Sequence, residues 1–173
     1  MRGQRGFTLI EMLVAVAIAG LIAPAIVSAI FQMSRGSADI QSSLVVHQDI
    51  DVASSSFSRD LSQAMTTDLA GDGSTAPSMR VSWNDQTSWA ATLGEPHCAR
   101  YYIEPGTTLL KRNSDGASDC AVDGTVSIVG RHVADVQFSR SGGFITVLIK
   151  SSLGGQAQTL TYFVTARADG ALP

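Results

Sequence analysis

The chain has 173 residues, a formal net charge of −3 and only 16% charged residues, and its basic side chains are scattered along its whole length. Such a distribution leaves no electrostatic footprint for nucleic acid, and the length suits one ordinary domain plus an extension. The 45% hydrophobic content is inflated by residues 7–31; the remainder is rich in Ser, Thr, Gly and Asp, a composition that fits an exported β-rich domain better than a cytosolic enzyme.

The chain opens MRGQRGFTLIEMLVAVAIAGLIAPAIVSAIF. From Phe7 to Phe31 it is almost wholly apolar. As a helix these residues would span roughly 37 Å at the standard rise, against about 30 Å of hydrocarbon. Arg2 and Arg5 precede the run, and no basic residue follows until Arg35. That asymmetry places the first residues in the cytoplasm and the rest outside. The run is too long for the apolar core of a cleaved secretory signal. A plain uncleaved anchor accommodates the length but gives no reason for Glu11. A carboxylate in a membrane span costs about 2.5–3.5 kcal/mol on insertion scales and normally has a partner. A cut after Gly6 would supply one: Phe7 becomes an amino terminus one helical turn from Glu11. In a bundle of such helices, the carboxylate of one could meet the amine of a neighbour, and any axial slip would leave both charges unpaired.

Gly6-Phe7-Thr8-Leu9-Ile10-Glu11, continued through Met12–Ile18, resembles the class III signal of type IV pilins and type II secretion pseudopilins. The resemblance implies cleavage between Gly6 and Phe7 by a membrane prepilin peptidase, N-methylation of Phe7, and a register-setting role for Glu11. It further implies storage in membrane lipid, extraction by an inner-membrane assembly platform, and packing with other pilins or pseudopilins in a filament. No cofactor is implied. The single-pass protein would keep its N-terminus in the cytoplasm and its head outside, and then join an extracellular or periplasmic filament.

Pro24 removes a backbone donor within the run and predicts a kink, and Gly36 is a second soft point. Beyond it, Ile40, Leu44, His47 and Ile50 or Asp51 step at helical spacing, and Phe57, Leu61, Met65 and Leu69 continue the ladder. Asp39, Gln48, Ser55, Arg59 and Ser62 fall on the other face. The helix is expected to end near Ala70, ahead of Gly71-Asp72-Gly73-Ser74, with Ala70–Pro77 as a flexible loop. Strands are predicted over 79–83, 100–103, 108–112, 126–129, 133–138, 144–150 and 158–164. Glu104-Pro105-Gly106-Thr107 suits a type II turn, and Gly154-Gly155 suits a tight hairpin turn. The expected segments are therefore a leader over 1–6, a membrane and assembly segment over 7–31, an amphipathic helix over 32–70 and a β-rich head over 71–173. The expected fold class is α+β, a pilin-like long N-terminal helix packed on an antiparallel sheet.

Within the head, Ala99–Ile103 followed by Thr108–Arg112 resembles the paired strands of J-type pseudopilins and W-type minor pilins, as does Phe57–Ala64 on the helix. Members of that subgroup sit at or near a filament tip. Some tip pseudopilins lack the acid that this chain retains as Glu11, so this chain need not be the topmost subunit. The implied function is a structural one, a minor tip-proximal pilin. A J-type pseudopilin of a type II secretion system and a pilus-borne adhesin or DNA-uptake subunit are the alternatives.

Other constellations are weaker. Cys98 and Cys120 lie outside the membrane on this topology, where a disulfide competes with free thiols. Asp115, Asp119 and Asp123 could cup calcium or form a solvated acidic turn; their spacing is not that of an EF-hand. Trp83 and Trp89 could form a binding platform or pack in the core. His47, His97 and His132 show no ligand spacing, no Ser/His/Asp set or phosphate loop has supporting context, and Arg80, Arg100, Arg112 and Arg131 are dispersed.

Overall fold

The computed structural model describes residues 8–85, 94–116, 120, 124–165 and 170–171. The chain divides into two compact units, 1–41 and 42–173. Its elements are one long helix, α1 (Leu9–Gln63), then β1 (Thr66–Thr67), β2 (Asp72–Ala76), β3 (Ser78–Asp85), β4 (Glu95–Ile103) and β5 (Leu110–Asp115). They are followed by β6 (Thr125–Gly130), β7 (Val133–Ser141), β8 (Phe144–Leu153), β9 (Gln156–Thr165) and β10 (Gly170–Ala171).

The described residues of the first unit are helical from Leu9 onward, and all of them are exposed. Pro24 lies inside α1, which continues past it. Apolar residues therefore cover this helix on every side, a composition suited to lipid or to other helices rather than to water.

In the second unit, α1 buries Val46, Asp49, Ile50, Ala53, Phe57, Asp60 and Leu61, a stripe at three- and four-residue spacing. Ile40, in the first unit, and Leu44, in the second, were expected on the apolar stripe but are exposed. In the head unit the buried row begins at Val46. The helix also stops at Gln63 rather than Ala70. The Met65 N–H donates to the Ser82 carbonyl at 2.8 Å, and the β-branched pair Thr66-Thr67 joins β3 as a short strand. Two β-branched residues beside an open strand gain more from the sheet than from another helical turn. Leu69 is still buried, but from a loop.

Two sheets cover the helix stripe. One has the order β10-β1-β3-β4-β5-β6 and the other β2-β7-β8-β9; all pairs are antiparallel except β1 with β10. Phe57 lies at their meeting point, 4.5 Å from the Tyr101 ring on β4 and 5.5 Å from the Phe138 ring on β7. Met79, Val81, Ala99, Tyr101 and Leu110 face it from the first sheet, and Val136, Phe138, Ile145, Val147 and Ile149 from the second. Each fully buried large apolar side chain contributes about 1.5–3 kcal/mol. This α+β architecture, a long N-terminal helix packed against antiparallel sheets, matches the pilin-like fold that the resemblance implied.

All seven predicted strand regions overlap observed strands. The β4–β5 hairpin pairs Ile103 with Leu110 and has Gly106 at φ +77°, where a type II turn requires a residue able to adopt positive φ. The expected loop over 70–77 contains strand β2 instead. Asp72 accepts a hydrogen bond from the Ser74 N–H at 2.8 Å. This local bond turns the chain, and Thr75 and Ala76 then pair with Ser139 and Phe138.

Candidate functional site

In the first unit the sites of interest are Glu11 and the apolar surface that follows it. Gly6 and Phe7, the expected cleavage and methylation positions, lie outside the described residues. Glu11 stands in the first turn of α1. One of its carboxylate oxygens accepts both the Thr8 N–H and the Thr8 hydroxyl, each at 3.0 Å. In return the Glu11 N–H donates to Thr8 Oγ1 at 3.4 Å. This is a reciprocal capping box: threonine flanks the helix start, and glutamate three residues later returns the bond. Two backbone donors that the helix geometry orphans are thereby satisfied, and within one chain the carboxylate has a partner. Its sequence signal is Thr8-x-x-Glu11 ahead of an apolar run, which coincides with the cleavage motif.

Further along the same unit, Ala15, Ala19 and Ala23 recur every four residues, beside Ile18, Ile22 and Ile26, and line a shallow apolar face. Small residues at this spacing let another helix approach closely in a membrane. The alternation of small and branched side chains was legible in the sequence as well.

In the head unit, two buried carboxylates join α1 to the sheets. Asp60 is 2% exposed. It accepts hydrogen bonds from the Tyr101 hydroxyl at 2.6 Å, Arg112 Nε at 2.6 Å and Arg112 Nη2 at 3.0 Å. The guanidinium therefore grips it with two donors, which adds directional specificity to the charge pairing. Burial, and then the charge of Asp60, push the Tyr101 hydroxyl well above the usual tyrosine range. Burial alone would lower the Arg112 pKa, but its hydrogen bonds and charge pairing with Asp60 outweigh that and raise it.

Asp49 lies eleven positions earlier on the same helix face, three turns away. Its carboxylate accepts the backbone N–H groups of Arg131 and His132, each at 3.0 Å, and His132 Nδ1 at 2.9 Å. The turn it holds links β6 to β7, and so links the two sheets. The Thr108 hydroxyl donates to the Arg131 carbonyl at 2.7 Å, and the Ser151 hydroxyl to the His132 carbonyl at 2.9 Å. The helix, the β4–β5 loop and β8 thus converge on two residues, Arg131 and His132. Neither aspartate was singled out from the sequence.

Cys98 and Cys120 form a disulfide with Cα atoms 5.6 Å apart, which ties β4 to the segment after β5. Asp115 pairs across the ladder with Cys98. Asp119 and Asp123 lie outside the described residues, and among those described no group of three His, Cys, Asp or Glu side chains could hold a metal ion. Trp83 stacks on His97 with ring centroids 6.0 Å apart, at the rim of a cleft of about 340 Å³ that also includes Arg112 and Ser114. Trp89 lies outside the described residues. Arg80 and Arg100 are directly opposite on β3 and β4, whereas Arg112 is committed to Asp60 and Arg131 lies in the turn held by Asp49.

Residues 1–23 match the prokaryotic N-terminal methylation motif, the class III signal carried by prepilin-type proteins. No curated protein and no solved structure matches the chain.

Proposed function

From that motif, which implies processing by a prepilin peptidase and assembly with other pilins, we propose that the chain is a minor, tip-proximal pilin of a type IV pilus-like filament. It is cut after Gly6 and N-methylated at Phe7. Residues 7–31 cross the cytoplasmic membrane with the N-terminus inside and the head outside, and then form the packed core of the filament. The observation that carries the reading is the conjunction of the motif with Glu11 at the start of an exposed apolar helix.

Before assembly, Thr8 supplies the donors for the Glu11 carboxylate, which offsets part of the cost of holding a charge near hydrocarbon. After cleavage the new amine of a neighbouring subunit is a stronger partner, because it is charged. The exchange fixes axial register, since slipped helices leave both charges without each other. The role is structural, and the motif points to a subunit rather than to a catalyst. The β4–β5 hairpin, with its likeness to W-type and J-type heads, supports a tip-proximal place. A J-type pseudopilin of a type II secretion system shares that observation and is the second reading.

The test is incorporation. Wild-type protein and Glu11→Gln are expressed in a pilus-forming host with its assembly machinery, and the filaments are sheared from the cells. The reading expects wild-type protein in the sheared fraction, with Glu11→Gln retained in the membrane although cleaved. Equal incorporation of both would refute the register role. Wild-type protein that enters only a secretion pseudopilus would favour the second reading.

A further inference from the structure

An exposed sheet edge presents unpaired N–H and C=O groups to any extended chain, and proteins blunt such edges with short strands, charges, proline or bulges. Among the described strands, three of the four sheet edges are blunted. Strand β10 has two residues. Strand β2 has five, begins with Asp72, and its register shifts between Asp72 and Thr75. Strand β6 has six, and its pairing shifts between Leu110 and Lys111.

Strand β9 is the exception. It has ten residues, Gln156-Ala157-Gln158-Thr159-Leu160-Thr161-Tyr162-Phe163-Val164-Thr165, with no charge and no proline. It runs against β8 through ten consecutive pairs without a shift. It ends the order β2-β7-β8-β9, and no described strand pairs with its outer side. Its inward row is unfinished as well. Ile145, Val147 and Ile149 on β8 are fully buried, whereas their partners Val164, Tyr162 and Leu160 pack against the core but are only partly buried. On the outward face Phe163 is 68% exposed and Phe144, two pairs along on β8, 58%.

These demands define the occupant. An extended, uncharged strand with apolar residues at alternate positions on its inward face would meet them, and β9 itself is such a strand over Leu160, Tyr162 and Val164. We infer that β9 pairs antiparallel with β9 of a second copy of this chain, joining two heads into one continuous sheet.

Directly opposed residues must share a face, so the two-fold axis has to pass through a residue and not between two. Centring on Thr161 sets Leu160 against Tyr162 of the second copy on the inward face. It sets Phe163 against Thr159 on the outward face, an aromatic and β-branched pairing of the kind that stabilises sheets. Centring on Leu160 would instead oppose Tyr162 to Gln158. The contact is isologous and closes after two copies.

The inference does not depend on the filament reading, and its test uses neither peptidase nor pilus machinery. Full-length Thr161→Cys is expressed in membranes and exposed to a mild oxidant. The native cysteines are paired with each other, so the new thiol can react across the axis, where opposed strand residues stand within disulfide reach. Ser139→Cys, two strands inward on the same face, is the control. Thr161→Cys should give covalent homodimer several-fold above Ser139→Cys. In detergent, wild-type protein should sediment as a dimer, and Thr161→Lys, which sets two like charges opposite each other, as a monomer that keeps the near-UV circular dichroism of the wild-type head. Linking at Thr161 no greater than at Ser139, linking only to a different protein, or a Thr161→Lys protein that remains dimeric would each overturn the inference.

Discussion

Removing the Asp60 side chain should unlatch the helix from the first sheet. In the native head its carboxylate is almost fully buried and accepts three hydrogen bonds, one from Tyr101 and two from Arg112. Asp60→Ala leaves a buried tyrosine hydroxyl and a guanidinium only 21% exposed without their acceptor. Breaking a buried pair by deleting one partner costs about 3–5 kcal/mol, mostly the penalty on the charge left behind. For a unit of this size that corresponds to a fall of roughly 10 °C or more in Tm. Thermal unfolding of the full chain in detergent, followed by near-UV circular dichroism of the head aromatics, would measure it. A double-mutant cycle with Arg112→Met separates the pair from its surroundings, and the coupling should exceed about 1 kcal/mol. If Asp60→Ala loses less than about 1 kcal/mol, or the cycle shows no coupling, then the latch does not hold the helix and the reasoning fails.

Three further outcomes are expected in the head. Replacing both Cys98 and Cys120 with serine opens a loop with a sequence separation of 22, and chain entropy puts the loss at about 3 kcal/mol, readable as a lower denaturant midpoint. Gly154→Ala should destabilise more than Gly155→Ala. Both positions have positive φ, but a Cβ at Gly154 would stand 2.7 Å from Ser42 Oγ whereas one at Gly155 meets nothing within 4 Å, and Ser42→Gly should recover part of the difference. The Tyr101 pKa is raised on folding, so the folded state keeps a proton that the unfolded chain releases near pH 10. Stability should be full below that pH and then fall by up to about 1.4 kcal/mol per pH unit; Tyr101→Phe should show a smaller alkaline loss, although it begins less stable at neutral pH.

Local patterns and distant partners were unequally legible in the sequence. The cleavage motif, the long apolar helix and the main strands all have short-range signatures, such as Gly6-Phe7 with Glu11, or the β-branched and aromatic run Thr159-Leu160-Thr161-Tyr162-Phe163-Val164. The helix end was misplaced because Phe57, Leu61, Met65 and Leu69 continue at helical spacing, while the competing attraction, β3, is set by tertiary pairing. Asp49 and Asp60 were missed for a similar reason. Each occupies an apolar stripe where a carboxylate is costly, and the groups that satisfy it are 82 and 83 residues away for Asp49 and 41 and 52 for Asp60. Strand β2 was hidden because Gly71-Asp72-Gly73-Ser74 has turn chemistry, and only the pairing of Thr75 and Ala76 with β7 makes a strand of this segment. Nothing local signals that β6 and β7, joined by a short turn, belong to different sheets.

The central claim, that this is a processed filament subunit, is tested most directly by intact mass. The chain is co-expressed with a prepilin peptidase, beside Gly6→Ala and Glu11→Ala. The account predicts loss of residues 1–6 from the wild-type chain, with the mass of one methyl group gained at Phe7, no cleavage of Gly6→Ala, and cleavage of Glu11→Ala. A wild-type chain that retains its N-terminus, or is cut near Ala29 instead, would contradict it.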